Sequence, residues 1–153
     1  MTTNYVRGAS ISSSAFRAEI QAMLTVYGAA GFRCGLEDGR AAIVFIAGKR
    51  QFRFILPLTG PVGSSSGTTG DPLQPRSSDT AGKAKEDAAR RQWHQLSLLI
   101  RAKLDAVAAG ITTFDQEFLA YMVLPGGTTV FDAVTPAVSN AYTPGGRPPL
   151  SAT

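Results

Sequence analysis

Reactive side chains are scarce in this sequence. Its 153 residues include one cysteine (Cys34), one histidine (His94) and one tryptophan (Trp93). A single cysteine can form neither an intramolecular disulfide nor a cysteine-rich zinc site. A single histidine excludes HExxH metalloproteases and centres with several histidine ligands. We therefore expect no metal, no cofactor and no catalytic residue, and the composition argues against an enzyme.

Long apolar runs and acidic side chains are also in short supply. No run approaches the roughly 18 apolar residues of a membrane span, and residues 1–14 are too polar for a signal peptide. Fifteen Lys and Arg outnumber eleven Asp and Glu, which gives a formal net charge of +4. These features predict a soluble, cytoplasmic protein that does not engage a membrane.

Two segments rich in small and helix-breaking residues divide the chain. In residues 59–82, 17 of 24 positions are Gly, Pro, Ser or Thr, and residues 135–153 contain four prolines. Such segments bury too little apolar surface to offset their conformational entropy. We therefore predict one α+β domain over residues 1–134, interrupted by a disordered linker at 59–82 and followed by a disordered tail at 135–153.

Hydrophobic spacing in the first block predicts a helix and then a three-stranded antiparallel meander. Residues 12–14 are serines that can cap the helix, and Gly28 can end it. Beyond residue 31 the period changes to two, with turn signals at residues 38–39 and 48–49. Pro57 lacks an N–H donor, so the third strand ends there or lies at the sheet edge.

Apolar alternation also assigns the two faces of this sheet. Cys34 shares a face with Phe32 and Leu36, which predicts a small core residue. Phe52 and Phe54 are expected in the same core. The opposite face carries Val44, Ile46 and Ile55, which indicates a homodimer or another covering element.

The second block is dominated by a long amphipathic helix, predicted over about residues 80–109 and closed by Gly110. Its apolar stripe contains Trp93, Leu96, Ile100, Leu104 and Val107, widened by Leu99. A shorter helix follows as far as Leu124, with Thr113 and Gln116 at capping-box spacing. Residues 128–134 are read as a short strand, and both helices are expected to pack on the sheet.

Basic residues supply the functional lead. Lys83, Arg90, His94 and Arg101 fall within about 40° on the long helix and span roughly 27 Å. Further basic residues cluster at the second turn of the meander, and such groups suit a phosphate backbone. The candidate nucleic-acid-binding residues are Lys49, Arg50, Arg53, Lys83, Arg90, Arg91 and Arg101. The alternative is a solvated helix face, since Asp87 and Asp105 flank the stripe. His94 is expected at the surface.

Two stretches carry a resemblance to known sequences. The runs RAAIVFIAGKRQFRFILPL, from Arg40, and RRQWHQLSLLIRAKLDAVAAGITTFDQEFLAYMVLPGGTTV, from Arg90, resemble patterns in small uncharacterised proteins encoded by bacteriophages and prophages. The resemblance implies a phage-derived cytoplasmic protein and implies no activity. It assigns no site residue.

Three functional classes remain open at this point. The leading hypothesis is a non-enzymatic phage accessory protein that binds nucleic acid, or a nucleic-acid-associated protein, through the basic residues. The second is a protein-interaction or inhibitor module that uses an amphipathic helix or an open sheet edge. The third is a small enzyme that depends on His94 or Cys34.

Overall fold

The structure is a computed structural model that describes residues 3–37, 39–58 and 78–146, with side chains for 13–36, 39–58 and 82–146. The helices are α1 (Thr3–Thr25), α2 (Ser78–Ala108), α3 (Phe114–Phe118) and α4 (Val130–Ala141), with a 3-10 helix at Leu119–Tyr121. The strands are β1 (Ala30–Glu37), β2 (Arg40–Ala47), β3 (Arg50–Pro57) and β4 (Met122–Val123). The chain is therefore α+β, as predicted. Residues 59–77, most of the predicted linker, lie outside the described residues.

Two tight turns fix the register of the sheet. Its strands lie in the order β1-β2-β3-β4, and every neighbouring pair is antiparallel. Glu37 pairs with Arg40 across the first turn, and Ala47 pairs with Arg50 across the second. Both predicted hairpins are confirmed. β3 ends at Pro57, as predicted. Its pairing with β4 involves Gln51 and Phe52 at the other end of the strand, away from that proline.

The hydrophobic core lies between the sheet and the helices α1, α2 and α3. Phe45 is fully buried, stacks on Phe52 with ring centroids 5.3 Å apart, and meets Phe118 edge to face at 6.5 Å. Trp93 is buried on α2, as predicted. Full burial of a side chain of this size contributes about 1.5–3 kcal/mol, so this aromatic cluster is a main source of stability.

The two long helices lie side by side on the core and run in the same direction. The Phe16 ring stacks on His94 with centroids 4.9 Å apart, and the Tyr27 hydroxyl donates to the Leu104 carbonyl at 3.2 Å. Both α1 and α2 therefore cover one face of the sheet. None of the helices in the described ranges combines the length and apolar character needed to cross a membrane.

The helix boundaries correct several predictions. The predicted caps at residues 12–14 lie inside α1, which begins at Thr3 with no proline to stop it. α2 begins at Ser78, so residues 78–82 of the predicted linker are helical. Leu99 does not widen the buried stripe and is 42% exposed, because the packed face of α2 is centred on Trp93, Ile100 and the small, buried Ser97.

The prediction for Cys34 was wrong, since its side chain is exposed. Cys34 does point to the helical side of the sheet, because it pairs with the buried Ile43. β1 is an edge strand, however, and α1 leaves a groove of about 300 Å³ above it. The alternation correctly assigned the face but carried no information on how far the helices extend across it.

The C-terminal region differs most from expectation. The shorter helix ends at Phe118 rather than Leu124, because Met122 and Val123 pair with β3 and extend the sheet. The predicted strand at 128–134 is reduced to a bridge between Thr129 and Val123. The tail predicted as disordered from 135 contains the second half of α4, whose N-cap Thr129 accepts from the Asp132 N–H. Residues 147–153 lie outside the described residues.

Candidate nucleic-acid interface

The second hairpin brings three of the predicted basic residues together. Lys49 lies at the tip of the turn, and Arg50 and Arg53 follow on β3. They border a cavity of about 500 Å³ between β3 and the segment after β4. The remaining lining residues are uncharged: Gln51, Met122, Val123, Leu124, Pro125 and Gly127. The cavity thus combines a positive rim with an apolar wall.

Arg53 is the best-placed cation of this cavity. Its side chain lies on the face of the sheet opposite the helices, and its Nη2 donates to the Gly127 carbonyl at 3.1 Å. Its Nε is buried and has no hydrogen-bond partner within the described part of the chain. Leaving a buried donor unpaired costs about 1–3 kcal/mol. The contact with Gly127 fixes the guanidinium at the cavity.

A second arginine lies in line with Arg53. Arg33 on β1 pairs with Val44 on β2, and Val44 pairs with Arg53 on β3. Strands lie about 4.8 Å apart, so the two arginines leave the open face roughly 10 Å from each other. Ile46 and Ile55 on this face are exposed, so the described residues leave it open apart from the segment that meets Arg53 at Gly127. We call Arg33, Lys49 and Arg53 the basic row.

Arg33 was missed as a site residue, although the sequence held the signal. The turns at 38–39 and 48–49 fix both registers, and those registers align residues 33, 44 and 53. On the sheet, the prediction included only the three basic residues that are clustered at the second turn. Counting outward from both turns would have paired Arg33 with Arg53 across β2.

Arg50 has a different role from its neighbours. It lies on the helical side of the sheet, and its Nη1 donates to Asp115 Oδ2 at 2.9 Å. Both side chains are more than half exposed, so the pair contributes at most about 1 kcal/mol and is screened by salt. Arg50 links the hairpin to the start of α3, and its charge is offset by Asp115.

The basic stripe of α2 does not join this surface. Arg90 pairs with Asp87 at 3.5 Å, and Arg101 pairs with Glu19 of α1. His94 is exposed, as predicted, and stacks on Phe16. Lys83 and Arg91 are exposed on the same helix. The seven predicted residues therefore divide between opposite sides of the sheet, and the stripe is in large part the contact edge with α1.

Acidic and metal-ligating groups do not converge anywhere in the described ranges, where no cluster of three or more His, Cys, Asp or Glu could hold a metal ion.

Comparisons of the chain with protein-family models, with curated proteins and with solved structures find no match. The resemblance to bacteriophage and prophage proteins therefore stays a prediction. Only the geometry of the interface bears on function.

Proposed function

We propose that this chain is a phage-type accessory protein that binds nucleic acid, without catalysing a reaction, through the open face of its sheet. The basic row supplies the contacts. The observation that carries the proposal is Arg53, whose guanidinium is fixed on the Gly127 carbonyl through Nη2 at a cavity with no acidic lining residue. Its other N–H donors are not used by that contact, and guanidinium donors suit phosphate oxygens.

Charge and shape of the open face support the same ligand. No acidic side chain lines the cavity beside Arg53, so an incoming phosphate meets only positive or neutral groups there. Val44 lies between the two arginines, and the exposed Ile46 and Ile55 beside them offer further apolar contact. Contacts of this kind position a nucleic-acid backbone and carry no base specificity. We therefore expect binding that is insensitive to sequence.

Paired variants test the location of the interface. We expect Arg33→Ala/Arg53→Ala to weaken binding of a labelled oligonucleotide at least tenfold in a fluorescence anisotropy titration. The matched control is Arg90→Ala/Arg101→Ala, which removes the same charge from α2 and should change affinity less than threefold. Circular dichroism establishes that each variant is folded. Equal losses for the two pairs, or no binding by the wild type, contradict the proposal.

A second candidate function is protein binding at the free edge of β1. Leu36 is 76% exposed there, and Cys34 lines the groove between β1 and α1. An extended peptide can add to such an edge as a further strand and place a side chain in the groove. Peptides selected from a random library should then lose binding to Leu36→Glu and keep it with Arg53→Ala. Selected peptides that bind Leu36→Glu equally well contradict this candidate.

A further inference from the structure

Among the described residues, the helix α4 packs against the 3-10 helix and leaves most of its apolar side chains exposed. It has twelve residues, contains Pro136, and buries no side chain. Isolated helices of this length are marginal in water, and most helical stability in proteins comes from packing of an apolar face. An internal proline weakens the helix further. Its exposed apolar face is therefore suited to contact with a partner surface.

The exposed apolar residues of α4 form one seam. Phe131, Val134 and Val138 are spaced by three and four residues, and Tyr142 continues the same line directly after the helix. This spacing is that of a coiled-coil seam. The seam borders a groove of about 470 Å³ whose other wall includes Leu119 and Ala120. The surface therefore has the spacing of apolar side chains that a packed helix requires.

The lack of charged side chains in the groove limits which helix can pack there. The groove is lined by no charged side chain, and its polar members are Gln116, Thr135 and Ser139. Asp132, the one ionisable residue of α4, lies about 100° around the helix from Phe131. A helix with charged residues beside its apolar stripe would bury those charges unpaired in this groove. A second copy of α4 would not, because Asp132 lies away from its apolar stripe. The occupant that meets these conditions within the described chain is α4.

We propose that two copies of this chain associate through α4, with the two seams antiparallel across a twofold axis. In that arrangement Val134 lies against Val134 of the other copy, and Phe131 lies against Val138. Large and small side chains then alternate, and antiparallel helix dipoles attract. The sequence had indicated a homodimer or another covering element at the open sheet face, whereas this proposal places the contact between copies on α4. It is independent of nucleic-acid binding.

The exposed apolar area of the seam sets the expected affinity between the two copies. Leu119, Phe131, Val134, Val138 and Tyr142 are each between 46% and 64% exposed. With about 150–250 Å² for a large side chain, they present roughly 450 Å² in each copy. A standard interface buries about 800 Å² per partner, so these side chains supply more than half of it before backbone and rim atoms are added. We expect a dissociation constant on the order of micromolar.

Sedimentation of the full chain tests the inference. Between about 1 and 500 µM the wild type should pass from monomer to dimer. Phe131→Glu should remain monomeric over the same range, because it places a charge in the seam. Asn140→Glu introduces the same charge on the opposite side of α4 and should dimerise like the wild type. A wild type that stays monomeric, or a dimer that Phe131→Glu leaves intact, overturns the proposal.

Cross-linking gives a second readout that does not depend on a destabilising charge. In a Cys34→Ser background, Val134→Cys should form a disulfide-linked dimer under mild oxidation, because the two copies of residue 134 lie opposite each other. Asn140→Cys is the matched control and should stay largely unlinked. Equal linkage of the two variants, or none by Val134→Cys, contradicts the antiparallel arrangement.

Discussion

At the scale of single residues, Lys49 combines a strained backbone with a position at the tip of the basic row. Its φ is 65°, after Gly48 at 57°, so the turn between β2 and β3 has both central residues in the left-handed region. Such a turn favours glycine at the second central position. A residue with a Cβ loses about 1–2 kcal/mol there. Lysine is thus a poor choice for the fold and a suitable one for contacting phosphate.

Replacing this lysine should separate the two effects. We expect Lys49→Gly to raise the free energy of unfolding by about 0.5–1 kcal/mol, since relief of strain exceeds the added entropy of the unfolded chain. The same variant should bind nucleic acid more weakly. Urea denaturation measures the first effect, and anisotropy measures the second. Gly48→Ala, at φ 57°, should destabilise instead. A fall in stability of Lys49→Gly would show that the turn is not strained.

Lys103 is a half-buried cation that holds α3 on α2. Its Nζ donates to Glu117 Oε1 at 3.2 Å and to the Glu117 carbonyl at 3.1 Å. It also lies 5.4 Å from the centre of the Tyr121 ring. We expect Lys103→Met to lower the free energy of unfolding by about 1–2 kcal/mol, because it removes a charge-assisted contact to a partly buried carboxylate. The exposed Lys85→Met should change it by less than about 0.5 kcal/mol.

At the scale of secondary-structure elements, α3 depends on its capping box. The Thr113 hydroxyl accepts from the Gln116 N–H at 3.2 Å, and the Gln116 side chain accepts from the Thr113 N–H at 3.1 Å. We expect Thr113→Ala to lower the free energy of unfolding by about 1 kcal/mol. Gln116→Ala should add little to Thr113→Ala in a double-mutant cycle, because both act on one motif. Full additivity in thermal or urea unfolding would contradict a reciprocal cap.

Local signals in the sequence were sufficient for most elements. Both hairpins, the capping box at Thr113 and the glycine that closes α2 were predicted correctly, because turns and caps depend on neighbouring residues. β4 and α4 were not predicted. The pairing of Met122 with Phe52 joins residues far apart in the chain, and the prolines after Thr135 were taken as evidence of disorder. The Thr129 cap and the apolar spacing that follows it favour a helix.

The sequence could indicate only those parts of the candidate site whose residues are neighbours in the chain. Lys49, Arg50 and Arg53 are close in sequence, so their grouping at the cavity could be anticipated. The neutralisation of Arg101 by Glu19 depends on how α1 packs against α2, which no local pattern contains. Arg33 could have been found from the turn registers. The sheet also lies between the helix stripe and Arg53, an arrangement that no local pattern contains.

At the scale of the whole molecule, the net charge of +4 is unevenly distributed. On the helical side of the sheet, Arg50, Arg90 and Arg101 each pair with a carboxylate. On the open side, Arg33 and Arg53 form no ion pair with any described residue. Unpaired cations on a flat, exposed face create the positive potential that attracts a polyanion.

The salt dependence of nucleic-acid binding reports directly on phosphate contacts made by the open face of the sheet. If the basic row engages three phosphates, log K should fall with log salt at a slope of roughly −2 to −3 for single- and double-stranded ligands. Arg53→Ala should reduce that slope by about one, because it removes one phosphate contact. Arg90→Ala should leave the slope unchanged. Binding that is independent of salt, or a slope that Arg53→Ala does not alter, would contradict phosphate recognition by the open face of the sheet.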